Sequence, residues 1–255
     1  MGDARLPWED GGFARLFGEI MMTAYSVLLT LPAATVEALY RQKFKLYMFK
    51  AVRCGCSGQV LLWSASAQFM ENNEIAWGTD CAVRVAPVGG ALNNGNLYPA
   101  GLGEKFLIQN GDGSGSVVRT DFPAVLGIAN QTTNAFQTGL AQVAPSLTGA
   151  SDWNAVAAFT LNGEMEQVVS PAEKILLAFS TADWQPGQPI HSLTAPSQLQ
   201  AVSTGGILID MESGAQTQRK VSYILNQGWD WAQQSWGTPV PSSAALAQYL
   251  LLPDL

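Results

Sequence analysis

The stretch GGILIDMESGAQTQRKVSYILNQGWDWAQQSW, Gly205–Trp236, decides the fold that this sequence predicts. Apolar residues alternate with other residues on both sides of the polar segment Ser213–Gln218, as expected of two strands joined by a turn. Successive strand side chains point to opposite faces. The register that keeps one face apolar therefore pairs Ile209 with Tyr223, or is shifted from that pairing by two residues. The predicted core face of this hairpin consists of Ile207, Ile209, Met211, Val221, Tyr223 and Leu225.

Composition favours a folded chain and argues against a nucleic-acid partner. Of the 255 residues, 47% are hydrophobic and 13% are charged, which suits a sizeable core. The formal net charge is −7, whereas a nucleic-acid-binding surface needs clustered lysine and arginine. The densest basic segment, Arg41–Arg53, is interpreted as a solvated helix end followed by the outer face of a strand.

The cysteines do not suggest a disulfide framework or a metal site. Cys54 and Cys56 are too close for an easy mutual bridge, and Cys81 could pair with either, so the pairing stays open. A zinc site needs more nitrogen or sulfur ligands than the single histidine, His191, adds. We interpret the cysteines as small buried or half-buried thiols and expect no cofactor.

Residues 1–21 are predicted to form an N-terminal arm, followed by a single domain over residues 22–255. Gly12–Met22 has the pattern of a short amphipathic helix. Its apolar side, a candidate for membrane insertion, consists of Phe13, Leu16, Phe17 and Ile20. The apolar stretch Ile20–Leu31 is too short to span a membrane, and acidic residues precede it. We therefore expect synthesis without a classical signal peptide, which leaves the localisation open and compatible with non-classical release.

The rest of the chain predicts many short strands and little helix. Short apolar runs are separated by glycine, proline and asparagine, a pattern typical of antiparallel sandwiches. Lys174–Ser180 is apolar almost throughout, which indicates a strand buried on both faces. Ala33–Gln42, after Pro32, predicts a helix in the N-terminal half, and Ser242–Leu252 predicts a short C-terminal helix. The predicted fold class is all-β, mainly an antiparallel β-sandwich.

The sequence offers few catalytic residues. His191 lies in a proline-rich segment, and no serine occupies a Gly-x-Ser-x-Gly elbow, so a serine triad is not expected. Glu164 with Glu166, and Asp210 with Glu212, are spaced to share a strand face and keep a carboxylate-dependent hydrolase open. Both pairs are more simply interpreted as solvent faces or turn edges. We expect no catalytic residues and no enzymatic activity.

Tryptophans cluster directly after the predicted hairpin. Half-exposed aromatic rings stack on sugar faces or lie at membrane interfaces. The alternative is that these rings close one end of the sandwich. The predicted ligand-binding residues are Trp229, Asp230, Trp231 and Trp236.

Four segments resemble spaced blocks of a group of uncharacterised microbial β-rich proteins, and the architecture is similar to that of actinoporin-like sandwiches. The latter include pore-forming cytolysins and fungal fruit-body lectins, so the resemblance implies glycan or lipid binding. In the cytolysins an N-terminal amphipathic helix inserts into the membrane, and Gly12–Met22 would stand in its place. The four segments are Lys43–Arg53, Glu173–Ser180, Gly206–Asp210 and Arg219–Trp229.

These observations lead to one main hypothesis and two alternatives. The main hypothesis is a non-enzymatic binding protein of lectin or cytolysin type that recognises a glycan or a membrane lipid. The first alternative is a structural protein that assembles into homo-oligomers through polar faces and exposed strand edges. The second alternative is the carboxylate-dependent hydrolase.

Overall fold

The computed structural model describes residues 24–147, 151–194 and 205–253 and has an all-β fold. The N-terminal arm, with Phe13, Leu16, Phe17 and Ile20, lies outside the described residues. None of the described helices is long and apolar enough to cross a membrane. The described α-helices are α1 (Ala33–Arg41) and α2 (Ala247–Leu250). The described strands are β1 (Tyr25–Thr30), β2 (Lys45–Cys54), β3 (Gln59–Val60), β4 (Ser64–Ser66), β5 (Asn72–Trp77), β6 (Ala82–Pro87), β7 (Asn96–Pro99), β8 (Glu104–Ile108), β9 (Gly115–Arg119), β10 (Leu126–Asn130), β11 (Phe136–Val143), β12 (Trp153–Ala155), β13 (Ala157–Leu161), β14 (Glu166–Ser180), β15 (Gly206–Asp210), β16 (Gln218–Ile224), β17 (Gly228–Asp230), β18 (Gly237–Val240) and β19 (Leu251–Leu252).

The described strands form three sheets. The first has the order β17-β16-β1-β5, and the third has the order β3-β13-β11-β6-β7 with β12 beside β11. The large second sheet has the order β18-β15-β14-β10-β8-β9, and β2 joins it through β14 with β4 and β19 attached. The pairs β1–β16, β8–β10 and β2–β19 are parallel, and the other pairs among these strands are antiparallel. The mainly antiparallel character expected from the sequence is thus present.

Strands β2 and β14 form the centre of the protein and are buried on both faces. Leu46 and Met48 of β2 point into the main core, to which all three sheets contribute. Tyr47 and Phe49 point the other way, into a second core that is closed by residues of α2 and the neighbouring loops. On β14, residues 175–180 are all buried. The predicted strand with two buried faces is therefore confirmed.

The predicted hairpin within Gly205–Trp236 is wrong, although its predicted core face is largely correct. β15 pairs with β14 and β18, whereas β16 pairs in parallel with β1 and with β17, so the two strands belong to different sheets. Ile209 and Tyr223 are both buried in the main core, as are Ile207, Met211 and Val221. Leu225 is partly buried against the same core.

A local turn after β15 explains why the chain leaves the second sheet. The Oδ1 atom of Asp210 accepts hydrogen bonds from the backbone N–H groups of Glu212, at 2.8 Å, and Ser213, at 3.2 Å. The guanidinium of Arg219 also donates to the carbonyl of Ser213. These bonds satisfy N–H and carbonyl groups of residues 212 and 213 that the predicted hairpin would have used to pair its two strands and close its turn. The segment between the strands therefore crosses from one sheet to another, and both strands present their apolar faces to the same core.

The helix after Pro32 is confirmed, and the C-terminal helix is shorter than expected. Two residues after the end of α1, Lys43 adopts the left-handed region, at φ 59°. There the N–H of Phe44 donates to the carbonyl of Leu39 at 2.9 Å, which is the bond that defines a Schellman cap. Of the predicted helix Ser242–Leu252, only α2 is helical. The residues that follow α2 pair with β2 instead, because that pairing extends the large sheet.

Candidate functional site

A groove of about 670 Å³ lies where the start of β16 and the segment before it meet the loop between β17 and β18. We call it the tryptophan groove, because Trp231 and Trp236 are its aromatic residues. Both indoles are half-buried and so keep accessible surface. The remaining lining residues are glutamines, two cations and small residues. They are Ala215, Gln216, Thr217, Gln218, Arg219, Lys220, Ala232 and Gln234.

Trp231 is held by a strained turn and by a glycine. Ala232 and Gln233 both have left-handed backbones, at φ 53° and φ 55°, and the N–H of Gln234 donates to the carbonyl of Trp231 at 3.3 Å. Two consecutive left-handed residues form a type I′ turn, which costs roughly 1 kcal/mol or more for each non-glycine residue. A Cβ atom on Gly237 would lie 2.5 Å from the Trp231 ring, so the indole packs directly on this glycine. Strain of this kind is retained where the surrounding structure fixes it, and often at binding sites.

Trp236 is paired with a nearly buried cation. The guanidinium carbon of Arg219 lies 5.4 Å from the centre of the Trp236 ring, within the range of a cation–π contact. Arg219 is 5% exposed and donates to Oε1 of Gln216 at 2.7 Å. Its Nε atom is buried and has no hydrogen-bond partner among the described residues. The guanidinium therefore supports the indole from inside the groove.

The tryptophan groove is locally cationic, although the protein is acidic. Arg219 and Lys220 line it, and none of its described lining residues is acidic. Neither cation forms an ion pair with a described carboxylate. An anionic group entering this groove would meet positive charge, amide donors and two aromatic faces.

The structure separates Trp229 and Asp230 from the groove that Trp231 and Trp236 line. The Trp229 ring stacks on Phe179, with ring centres 5.7 Å apart, and packs against Tyr223 at 4.9 Å. Its Nε1 donates to the carbonyl of Gly205 at 2.8 Å. Asp230 is exposed, and its Oδ1 accepts the N–H of Ala232 at 2.9 Å, which stabilises the start of the turn. Neither residue is among those that line the groove.

The candidate carboxylate pairs are not arranged for catalysis. Glu166 forms an ion pair with Lys105 at 2.5 Å, and Glu164 lies in an exposed turn at φ 58°. Asp210 and Glu212 each form an ion pair, with Lys174 and Arg53 respectively. None of the four carboxylates lines the tryptophan groove, and none lines the clefts around Asn93, Trp77 and Thr160. The geometry therefore gives the hydrolase hypothesis no support.

His191 and the three cysteines are not among the residues that line the tryptophan groove. His191 is exposed, and its backbone carbonyl accepts the N–H of Leu246 at 2.8 Å. Cys54 and Cys81 are buried, Cys56 is half-buried, and none of them forms a disulfide. Burial raises the pKa of Cys81 to about 12 and that of Cys56 to about 11, which keeps both thiols protonated at neutral pH. The interpretation of these cysteines as buried or half-buried thiols is confirmed.

A second cleft, of about 650 Å³, opens on another part of the surface, where Gln59, Gln137 and Gln185 are among its lining residues. Its described lining carries no charged or aromatic side chain. Asn93, one of its lining residues, is already engaged: its amide donates to Asn154 and its Oδ1 accepts the N–H of Ala155. This cleft lacks the aromatic surface on which ligands stack, so the tryptophan groove is the better candidate.

Sequence reasoning missed a charged cluster inside the protein. Lys50, interpreted as part of a strand's outer face, is fully buried and contacts the carboxylate of Glu173. Trp77 donates from its Nε1 to the same carboxylate oxygen, at 2.9 Å. Lys50 lies on the same face of β2 as Met48 and Val52, so its side chain enters the main core. The available signal was the alternation of β2, which places Lys50 on the same side as the apolar residues Met48 and Val52.

Comparisons with known proteins add no relative to these observations. No protein-family model matches the chain, and neither does any curated protein or solved structure.

Proposed function

We propose that this protein is a non-enzymatic carbohydrate-binding protein whose binding site is the tryptophan groove. One observation carries the proposal: Trp231 and Trp236 are both half-buried and both line a groove that also holds amide and cationic side chains. An indole face can stack on the apolar face of a sugar ring, while amides bond to its hydroxyl groups. The groove is open and shallow enough to take part of an oligosaccharide.

The charge of the groove favours acidic sugars. Arg219 and Lys220 lie among the lining residues, and no described carboxylate lines the groove to neutralise them. The chain as a whole has a net charge of −7, which repels anions from most of its surface. Carboxylated or sulfated saccharides are therefore the preferred ligand class in this proposal.

The proposal is tested with an array of neutral, carboxylated and sulfated oligosaccharides, followed by calorimetric titration of the hits. Trp231→Ala and Trp236→Ala are each expected to weaken binding about tenfold or more, because each removes a stacking surface. Trp153→Ala is the matched control, because this indole is also half-buried but belongs to another sheet. Lys220→Gln is expected to weaken the binding of acidic sugars and to reduce its dependence on salt.

Vesicles separate the glycan proposal from lipid binding. The same variants are mixed with vesicles of neutral phosphatidylcholine and with vesicles that also contain anionic phosphatidylserine. If vesicle binding depends on Trp231 and Trp236 while every saccharide is ignored, the groove is a lipid site and the glycan proposal is wrong. Glycan binding that survives both tryptophan substitutions would also overturn it.

A second candidate function, self-assembly, is supported by the free edge of β9. Among the described strands β9 pairs only with β8, which leaves its other edge open. Val117 and Val118 point to opposite faces and are 37% and 39% exposed. The strand contains no proline and no lysine to block pairing. Light scattering over a wide concentration range tests this candidate: Val117→Lys should abolish any oligomer, and a strictly monomeric wild type would exclude it.

A further inference from the structure

The contact between Lys50 and Glu173 lies inside the main core, on the ladder between β2 and β14. Lys50 has no exposed surface, and the Glu173 side chain is 11% exposed. The register of the two strands shifts here, so that residues 172–174 of β14 face the single residue Ala51 of β2. Glu173 is the middle residue of this bulge. A bulge redirects a side chain, and here it brings the carboxylate onto the amine of Lys50.

The groups around this contact differ from those of an ordinary buried ion pair. A lysine ammonium has three N–H donors, yet Glu173 is the one hydrogen-bond acceptor that Lys50 has among the described residues. Its other close neighbour is the Trp77 ring, whose centre lies 5.1 Å from Nζ. Burial lowers the pKa of Lys50, and the neighbouring carboxylate only partly offsets this. A neutral lysine amine is a nucleophile, so this environment makes the reactive form more accessible than it is at the surface.

The hydrogen bonds to the Glu173 carboxyl group favour nucleophilic attack on its carbon atom. Its Oε2 atom contacts Nζ of Lys50 and accepts a hydrogen bond from Nε1 of Trp77 at 2.9 Å. A donor aimed at a carboxyl oxygen stabilises the negative charge that develops there when a nucleophile attacks the carbon. Glu173 is also fixed through its backbone, because its N–H donates to Oε1 of Glu212 at 2.9 Å. Nucleophile, electrophile and oxyanion donor are thus brought together by three different strands and the bulge.

We propose that Lys50 and Glu173 are joined by an amide bond, formed within the folded chain with loss of one water molecule. A proton first passes from the Lys50 ammonium to the Glu173 carboxylate. The Nζ lone pair then attacks Cδ of Glu173, and the oxygen bonded to Trp77 becomes the amide oxygen. The bond from Cδ to the other oxygen breaks, and that oxygen leaves as water with two of the three protons that the ammonium carried. No oxidant, reductant or cofactor enters this balance.

Two physical arguments favour the amide over the ion pair at this position. Groups held in reactive contact behave as if present at an effective concentration on the order of 10⁵–10⁸ M, which offsets the unfavourable condensation of free amines and acids in water. The amide also replaces two buried charges by a neutral group and leaves one N–H instead of three, which lowers the cost of burial. The residual exposure of Glu173 gives the water a route out. The bond would tie β2 to β14 across 123 residues of sequence.

The wild-type protein itself provides the decisive test. Its intact mass is measured after denaturation and reduction, together with a tryptic peptide map. The expected result is a mass one water below that of the sequence, no cleavage after Lys50, and a branched peptide that contains Lys50 and Glu173. Because a succinimide at Asp112-Gly113 would also remove one water, the peptide map must place the loss. A full-length mass without loss, or a loss located elsewhere, overturns the proposal.

Two variants provide the controls. Lys50→Arg keeps a positive charge but removes the nucleophilic amine, so it is expected to show the full sequence mass and to migrate more slowly than wild type in a denaturing gel. Lys174→Met removes a lysine of the same bulge that forms an ion pair with Asp210 instead, and it is expected to keep the water loss. If Lys50→Arg does not fold, the wild-type mass and peptide map still decide the proposal. This inference does not depend on the function of the tryptophan groove.

Discussion

Trp229 provides the sharpest test of how the tryptophans divide between structure and recognition. Its ring stacks on Phe179 and packs against Tyr223, and its Nε1 donates to the carbonyl of Gly205. Removal of a fully buried tryptophan costs about 3–5 kcal/mol, so the half-buried Trp229 is expected to contribute about 2 kcal/mol through packing. The hydrogen bond adds about 1 kcal/mol. Trp229→Ala should therefore lower the free energy of unfolding by about 3 kcal/mol, and Trp229→Phe, which keeps the stacking, by about 1 kcal/mol.

The assay is urea unfolding at pH 7, followed by circular dichroism because the substitution removes a fluorophore. Trp231→Ala is the comparison variant: its indole packs on Gly237 at the edge of the groove, so it should cost only about 1 kcal/mol. If Trp229→Ala changes the free energy of unfolding by less than about 0.5 kcal/mol, the packing argument is refuted. Trp229 would then have to be returned to the candidate binding residues.

Three further predictions concern a helix cap, the thiols and the acid limb of stability. Lys43→Gly should raise the free energy of unfolding by about 1 kcal/mol, measured as a higher urea midpoint, because glycine adopts the left-handed cap without strain. Burial raises the pKa of Cys56 to about 11 and that of Cys81 to about 12, so Ellman's reagent at pH 8 should react with these thiols only after unfolding; rapid reaction of the folded protein would contradict this. Burial alone would raise the pKa of Glu212, but hydrogen bonds from Arg53 and a backbone N–H bring it below its ordinary value. The stabilisation from a lowered carboxyl pKa is present above the unfolded-state pKa and is lost as the pH falls through the folded-state pKa. From about pH 5 to pH 3, wild type should therefore lose more free energy of unfolding than Glu212→Gln. Equal losses in the two proteins would contradict the assignment.

Elements whose partners are close in sequence were predictable. Turn residues such as Gly111, Asp112 and Gly113 separate two short apolar runs, and β8 and β9 on either side of them pair as an antiparallel hairpin. Pro32 before an alanine-rich segment predicts α1, which begins at Ala33. In both cases the signal lies in the local backbone preference of the residues themselves, because no distant partner is needed to form the turn or the first helical turn.

The tryptophan groove was only half predictable. The clustering of tryptophans directly after the predicted hairpin leads to Trp231 and Trp236, and both line the groove. Arg219 and Gln216 were not found, because their place beside the indoles depends on the turn after β17 folding back on the start of β16. The same holds for Trp229, whose neighbour Phe179 belongs to a strand of another sheet.

The sequence by itself determined which side of β15 and of β16 faces inward, and the tertiary structure decided which strands they pair with. Alternation in β15 and β16 correctly placed Ile209 and Tyr223 in the core, yet the hairpin inferred from it does not exist. Alternation of apolar and polar residues indicates which side chains face the core and which face water. It does not indicate the pairing partner, because every strand offers the same backbone donors and acceptors to any neighbour. Lys50 and Glu173 illustrate the same limit, since only the completed sheet brings a lysine and a glutamate so distant in sequence into contact in the interior.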